Sequence, residues 1–479
     1  MFTVKKIGLL LGIITASSIF YLGAKENSIA YKSLAVASLM IIWWVTEALP
    51  IFLTSLLPII LFPLLGINEI KETASHYANP VIYLFMGGFM IAIAMEKWNL
   101  HKRIALSIIR YTGTNANSII FGFMLSTYFL SMWLSNTATA VMMLPIGVSI
   151  VNLCINESNC NTKSARNFAI CMMLGIAYGA NIGGIATLIG TPPNLVLLAY
   201  IREMYNYEIS FTDWLIFGIP LSFALLYLTY LLSIKIMFPN TLGIISGSSD
   251  IIENEMKKLG VFSVQEKRVL SIFIFTALLW ILREQINKIE FLESLNDSMI
   301  ALIGAFLLFM IPADKEKKML LIWEDMSRLP WGILLLFGGG LSLASGMEKA
   351  GVLDHIGTWV THLNLSHAFL MMILLTGIAL FLTEVMSNVA LATVFIPVVC
   401  IIAEGMGKNV LYLSVPVTIA SSCAFMLPMS TPPNAIVFGS GHLKIADMAK
   451  AGLVLNILSI ILITLVAYFI LPIDFSFEP

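Results

Sequence analysis

The chain has 479 residues, of which 58% are hydrophobic and 11% charged, with a formal net charge of −1. Soluble proteins carry roughly a quarter charged residues, so this composition excludes an ordinary soluble chain. No basic cluster points to nucleic acid, and the near-zero charge identifies no other partner.

Apolar runs of about twenty residues, the length that crosses a bilayer, recur along the whole chain. Examples are 7–23, 214–234, 269–282, 299–311 and 451–471, some a little short. A lipid-spanning backbone must satisfy its own hydrogen bonds, which predicts an all-α, multi-pass protein of the cell membrane. No ten-residue alternation suggests a β-barrel. Lys5 and Lys6 precede the first run as in a signal peptide, but no small-residue cleavage site is convincing. Residues 1–32 are therefore read as a retained transmembrane helix. Lys25 and Lys32 match Lys5 and Lys6, so charge leaves the orientation undecided. The five cysteines, Cys154, Cys160, Cys171, Cys400 and Cys423, read as buried thiols. The six histidines mostly flank apolar runs and form no His-x-x-x-His pair, which leaves a metal centre of that kind unsupported.

Two related halves follow, 33–239 and 266–479, joined by a polar linker over 240–265 with room for one amphipathic helix. Phe85, Gly87, Gly88, Glu96, Lys97, Ser135, Asn136 and Pro145 each have an identical partner 252 positions later. The partners are Phe337, Gly339, Gly340, Glu348, Lys349, Ser387, Asn388 and Pro397. Thr191-Pro192-Pro193-Asn194 recurs as Thr431-Pro432-Pro433-Asn434, 240 positions on. The polar segment 156–164 is a natural place for the difference. A duplicated membrane half with polar interruptions in matching places points to a transporter whose site lies between the repeats.

Each half shows three devices in order. The first is a Gly cluster at the middle of 80–97 and of 330–349. About nine residues on either side reach near half the bilayer core, so the pattern favours two re-entrant hairpins over two glycine-packed helices. The second is a long run, 117–153 and 367–400, with Ser135-Asn136-Thr137 or Ser387-Asn388-Val389 near its centre. A helix break is expected there, because short polar side chains compete for backbone groups. The third is the paired prolines, which end one helix and open the next with its N-terminus facing the gap.

Such breaks suit ions. Helix N-termini offer free N–H groups to carboxylates, and unwound carbonyls with Asn oxygens suit a hard cation such as Na⁺. No Arg or Lys occurs in 117–153, 167–201, 367–402 or 410–442. Burying an unpaired dianion is prohibitive, so either the substrate is neutral or cations enter with it. Two acids, Glu47 and Glu384, stand near helix ends. Each reads as an ion or proton site or, equally, as a structural cap.

At these residues the chain resembles the divalent anion/sodium symporter family, carriers of dicarboxylates, citrate or sulfate. The likeness covers nearly the whole chain and is specific, because two Ser-Asn and two Thr-Pro-Pro-Asn motifs occur in this order. The resemblance implies about eleven transmembrane helices, two inverted repeats, a homodimer and an elevator-type transport domain moving against a scaffold. It implies one Na⁺ site at Ser131, Ser135, Asn136 and Gly190, and a second at Thr383, Met386, Asn388 and Ser430. Substrate carboxylates are expected to meet Ser135, Asn136, Thr137, Thr191, Ser387, Asn388 and Thr431, with Val389 beside them. Val389 stands where some members have threonine, and Ser430 where the first copy has Gly190.

The expected activity is inward symport of a C4-dicarboxylate (succinate, malate or fumarate) with Na⁺. The rivals are sodium-independent dicarboxylate exchange and sulfate or citrate transport on the same fold. No Gly-x-Ser-x-Gly, His-Glu-x-x-His or Walker A motif supports an enzyme or an ATP-driven pump, and paired hairpins suit alternating access better than a channel filter. No organic cofactor is expected.

Overall fold

A computed structural model describes residues 4–24, 28–156, 162–314, 318–352 and 367–475. Among these the elements are helical, and the β-bridges outside them, such as Asn115 to Ile244, are isolated. Nine helices among the described residues are long and apolar enough to cross a membrane, and five more apolar stretches run 10–17 residues.

Helix α1 (Val4–Ala24) lies antiparallel to α2 (Ile29–Thr46). Gly12 meets Trp43 and Gly23 meets Tyr31, and the Trp43 indole N–H donates to the Leu9 carbonyl at 3.3 Å. Short helices α3 (Ile51–Thr54), α4 (Leu57–Leu65) and α5 (Ile70–Ser75) lead to α6 (Pro80–Lys97) and α7 (Leu100–Thr112). Next come α8 (Ala116–Ser131), α9 (Asn136–Asn156), α10 (Thr162–Ile185), α11 (Pro192–Tyr205) and α12 (Phe211–Leu232). The linker carries α13 (Ser248–Leu259), held by Arg103, whose guanidinium donates to the carbonyls of Leu259, Gly260 and Val261 and pairs with Glu266 at 2.6 Å. The second half contains α14 (Val264–Ile281), α15 (Arg283–Ile286), α16 (Asp297–Met310), α17 (Trp331–Lys349) and α18 (Ala368–Leu382). It closes with α19 (Asn388–Gly405), α20 (Val410–Ser421), α21 (Pro432–Phe438) and α22 (Ile445–Asp474).

The hairpins expected at 80–97 and 330–349 are absent. Both α6 and α17 run unbroken through their Gly clusters. The glycines serve close packing instead: a Cβ at Gly87 would stand 2.6–2.7 Å from the Ala301 backbone and side chain, and one at Gly339 would stand 2.3 Å from the Ser55 carbonyl. Pro80 opens α6 at a position where its missing N–H costs nothing, and Asn79 caps the turn by accepting from Val81 N at 3.0 Å. Packing against neighbours offsets the roughly 1 kcal/mol that each helical glycine costs relative to alanine.

The hairpins fall instead on the Ser-Asn motifs. α8 runs alongside α10 in the same direction, with Met124 against Gly179 and Tyr128 against Gly183. α9 runs the opposite way, with Asn136 against Gly184 and Gly147 against Met172. So α8 and α9 form an arm, a tight turn over 132–135, and a returning arm. In the other half, the Thr383 hydroxyl donates to the Ser421 carbonyl at 2.6 Å, setting the end of α18 beside the end of α20. α19 then returns through a short turn into α20, so α18 and α19 also run antiparallel.

α6 and α17 cross with Phe85 against Phe337, ring centroids 5.4 Å apart. Lys97, ending α6, pairs at 2.6 Å with Asp325 just before α17, and Lys349, ending α17, pairs at 2.6 Å with Glu72 just before α6. The two helices therefore run in opposite directions. The apolar stretch of α10 is wholly buried. On α22, Leu453, Ile457, Ile461, Leu465, Phe469 and Ile473 repeat every fourth residue and are exposed, an outward stripe suited to lipid.

Candidate functional site

Four polar breaks surround one cavity of about 740 Å³, within the range of small-molecule sites. Each of its polar corners is the start of a helix. α9 begins at Asn136, with the Ser135 hydroxyl accepting from Ala138 N at 3.2 Å. α19 begins at Asn388 behind an extended Ser387. The prolines at 192–193 and 432–433 occupy the first helical positions of α11 and α21, behind Thr191 and Thr431 in extended conformation. The starts of α9 and α19 therefore bring free N–H groups to a common space, whereas the paired prolines have none to offer and Thr191 and Thr431 present hydroxyls there.

Ser135, Asn136, Thr137, Gly190, Thr191, Met386, Ser387, Asn388, Val389, Ser430 and Thr431 all line this cavity. Ser131 and Thr383 lie just behind the wall, fully buried. The Ser131 hydroxyl donates to Asn136 Oδ1 at 2.6 Å, and the Thr383 hydroxyl, its one proton shared between the Ser421 carbonyl and this amide, lies 2.8 Å from Asn388 Oδ1. Each hydroxyl so fixes which way its amide points, leaving the other amide face for a second group. Glycine is required beside Asn136: a Cβ at Gly184 would stand 2.8 Å from Asn136 Oδ1 and 3.2 Å from the Gly190 carbonyl. Hydroxyl, amide oxygen and carbonyl thus converge on one small volume, the hard oxygen set that Na⁺ takes.

The asparagines of the two Thr-Pro-Pro-Asn motifs, Asn194 and Asn434, are buried and do not line this cavity; they clamp the breaks. Asn194 Nδ2 donates to the carbonyls of Gly184 (3.3 Å) and Thr187 (2.8 Å). Asn434 Nδ2 donates to those of Ala424 and Leu427, both at 3.1 Å. These acceptors are themselves 240 positions apart. Unwound carbonyls left by the helix break are satisfied in the same way in both copies.

Glu384 supports the second break from behind. Its buried carboxylate accepts from the backbone N–H groups of Phe425 (2.8 Å), Met426 (2.9 Å) and Leu427 (3.2 Å), and from Asn456 Nδ2 (2.9 Å). It does not reach the cavity wall, whereas Glu47 does. The equivalent position in the first copy is Met132, whose carbonyl accepts from the Thr187 hydroxyl instead.

Sequence reasoning missed several groups. Asn181 of α10 crosses between the copies, donating to Thr431 Oγ1 at 3.2 Å and to the Ala424 carbonyl at 3.2 Å. No repeat signal marks Gly184, whose counterpart 240 positions on is Ala424; only the shared hydrogen bonds to Asn194 and Asn434 relate the two. Arg328 and Glu96 line the cavity as well and are ion-paired. A search for cations within the apolar runs could not find Arg328, which arrives from the turn before α17. Cys154, Cys171, Cys400 and Cys423 are buried. Cys160, His355 and His362 lie outside the described residues.

The sodium:sulfate symporter transmembrane region family matches residues 5–472. The sodium-dependent dicarboxylate transporter SdcS of Staphylococcus aureus strain USA300 is 42% identical over 445 residues, 92% of this chain and 86% of its own length. SdcS from strain bovine RF122 is 43% identical over the same length. Two solved structures share the fold at low identity: Neisseria gonorrhoeae MtrF (TM-score 0.58, 12% identical, 83% of each chain) and the Alcanivorax borkumensis YdaH transporter (TM-score 0.60, 13% identical, 84% of this chain and 88% of that one). The chain belongs to the divalent anion/sodium symporter family and is a multi-pass membrane transporter, not an enzyme.

Proposed function

We propose that this protein carries C4-dicarboxylates such as succinate, malate and fumarate into the cell with Na⁺, by alternating access across the cell membrane. The observation that carries the reading is the duplicated hydroxyl–asparagine pair, Ser131 with Asn136 and Thr383 with Asn388, each set beside the same cavity. One Na⁺ is held by Ser131, Ser135, Asn136 and the Gly190 carbonyl. A second is held by Thr383, Asn388, the Met386 carbonyl and Ser430. The substrate carboxylates take N–H and hydroxyl donors from Ser135, Asn136, Thr137, Ser387, Asn388, Thr191 and Thr431, with Val389 packing beside them. Coupling follows from charge: a dianion at helix starts alone is undercompensated, and cations on the far side of both Asn amides supply the rest.

The opposite running of α6 and α17, with Phe85 against Phe337 at the crossing, supports an inverted relation of the halves. On that reading the two hairpins and the broken helices move as one body against a scaffold, in an elevator-type homodimer. The relatives named for sodium-dependent dicarboxylate transport favour this substrate class over sulfate or citrate, and favour symport over exchange.

The test is uptake of labelled succinate into proteoliposomes under an inward Na⁺ gradient, against Na⁺-free buffer with internal succinate. Uptake driven by the gradient is expected. Uptake requiring only internal succinate identifies an exchanger, and no uptake in either arm moves the substrate to sulfate or citrate.

A further inference from the structure

The charged residues on the cavity wall, among the described residues, are Glu47, Glu96 and Arg328. Arg328 is thus the one cation there, and Glu96, from the end of α6, is its partner. The backbone beneath Arg328 is firmly held. Met326 accepts from Leu329 N at 3.1 Å and from the Trp331 indole at 3.0 Å, while Asp325 pairs with Lys97 at 2.6 Å and accepts from Ile322 N at 2.9 Å. The Arg328 side chain on top of this base is 44% exposed. Its contact with Glu96 uses Nη2 alone, and its other N–H groups have no acceptor among the described residues.

We propose that Arg328 is the anion-docking residue of the cavity, and that an incoming dicarboxylate displaces Glu96 from it. The inference rests on the reading of the cavity as a dianion site. A guanidinium binds carboxylate through a planar two-point fork, and here one prong is occupied and the rest is open. The pair is half-buried, with Glu96 21% and Arg328 44% exposed, so releasing Glu96 costs more than parting a surface pair, and the incoming carboxylate offsets that cost by taking its place on the guanidinium. With Glu96 seated, the cavity wall has no free positive charge and holds Glu47 besides. A dianion that takes the guanidinium releases Glu96 and gains a fixed counter-charge before it reaches the hydroxyls and helix starts deeper in.

The device exists in one copy only. The equivalent of Arg328 is His76, which is buried, pairs with Glu203 at 3.2 Å and does not line the cavity. Docking by this route therefore serves one of the two access states.

Opposite signs distinguish docking from mere support. In Na⁺-driven succinate uptake, Arg328→Gln is expected to raise KM roughly tenfold, the loss of about one charge-assisted contact. Arg328→Lys should recover part of it. Glu96→Gln, which removes the internal competitor, is expected to lower KM about two- to fivefold, with the Na⁺ dependence of all three variants unchanged. A purely structural ion pair predicts impaired transport from both Gln variants alike, and that result, or an unchanged KM in Arg328→Gln, overturns the proposal. If Arg328→Gln fails to reach the membrane, Glu96→Gln decides alone: lowered KM supports docking, and unchanged or raised KM refutes it. Absence of succinate uptake by the unaltered protein would instead count against the functional reading itself.

Discussion

Ser131 and Thr383 occupy equivalent positions 252 residues apart and make equivalent hydrogen bonds, each to Oδ1 of an asparagine five residues on, at 2.6 and 2.8 Å. The two cation sites proposed above are thereby a matched pair, although only the Thr383 hydroxyl shares its single proton with a backbone carbonyl, that of Ser421. Replacing either hydroxyl with alanine removes one ligand and unlocks one amide. Ser131→Ala and Thr383→Ala should each raise the Na⁺ concentration for half-maximal transport about five- to thirtyfold, from a loss of about 1–2 kcal/mol. A Na⁺ titration of uptake measures this, and an unchanged midpoint removes that hydroxyl from the site.

Asn136 and Asn388 stand between the cation and the anion in this scheme. Asn136→Ala and Asn388→Ala should each abolish transport and leave a folded protein of unaltered elution volume. Full activity in either variant would dispose of the proposed site.

The Gly184 backbone admits no side chain. In Gly184→Ala the new methyl would meet Asn136 Oδ1 at 2.8 Å, so either the amide or α10 must shift, at about 1–3 kcal/mol. Weakened Na⁺ affinity is the expected outcome. Gly147→Ala, on α9, meets only the flexible side chains of Ile176, Met172 and Met173, and it should transport normally. Similar Na⁺ midpoints for the two variants would deny Gly184 its special place.

Glu384 acts on backbone geometry here, with no contact to the cavity. In Glu384→Gln an amide NH₂ replaces one carboxylate oxygen and faces N–H donors, which should cost about 1–3 kcal/mol. Thermal unfolding should therefore fall while the pH profile of transport keeps its shape. A profile that flattens would restore the acid to a role in proton movement.

Val389 lines the cavity without a hydroxyl. Val389→Thr adds a donor, so competition among succinate, malate and citrate should change in order or spread, by about 1 kcal/mol or some fivefold. Identical competition profiles would make the position a packing contact.

Much of the site could be read in the sequence, because duplication marks the same polar groups twice. The Ser-Asn and Thr-Pro-Pro-Asn motifs sit where proline chemistry and local polar competition break helices, and both rules act within a few residues. The hairpins were misplaced for a related reason. Gly87-Gly88 and Gly338-Gly339-Gly340 look like hinges along the chain, but what they face, Ala301, Ser55 and Tyr77, is distant in sequence. Close packing and turning both call for glycine, and only the neighbour decides between them. Arg328 and Asn181 escaped for the same reason, since each reaches the site from another element. The family resemblance supplied the ligand sets, and the geometry explains the residues behind them: Asn194, Asn434 and Glu384 hold the breaks open.

The ion pairs Lys97–Asp325 and Lys349–Glu72 stand at opposite ends of the crossed α6 and α17. Both helices are long and apolar enough to cross the bilayer, so one pair belongs to each face. The two are unequal in shielding: Lys349 is 52% exposed and Lys97 is 25% exposed. An amine reagent that cannot cross lipid, added to one side of a sealed vesicle, therefore reaches one clasp and spares the other. The two faces of the carrier are chemically addressable one at a time.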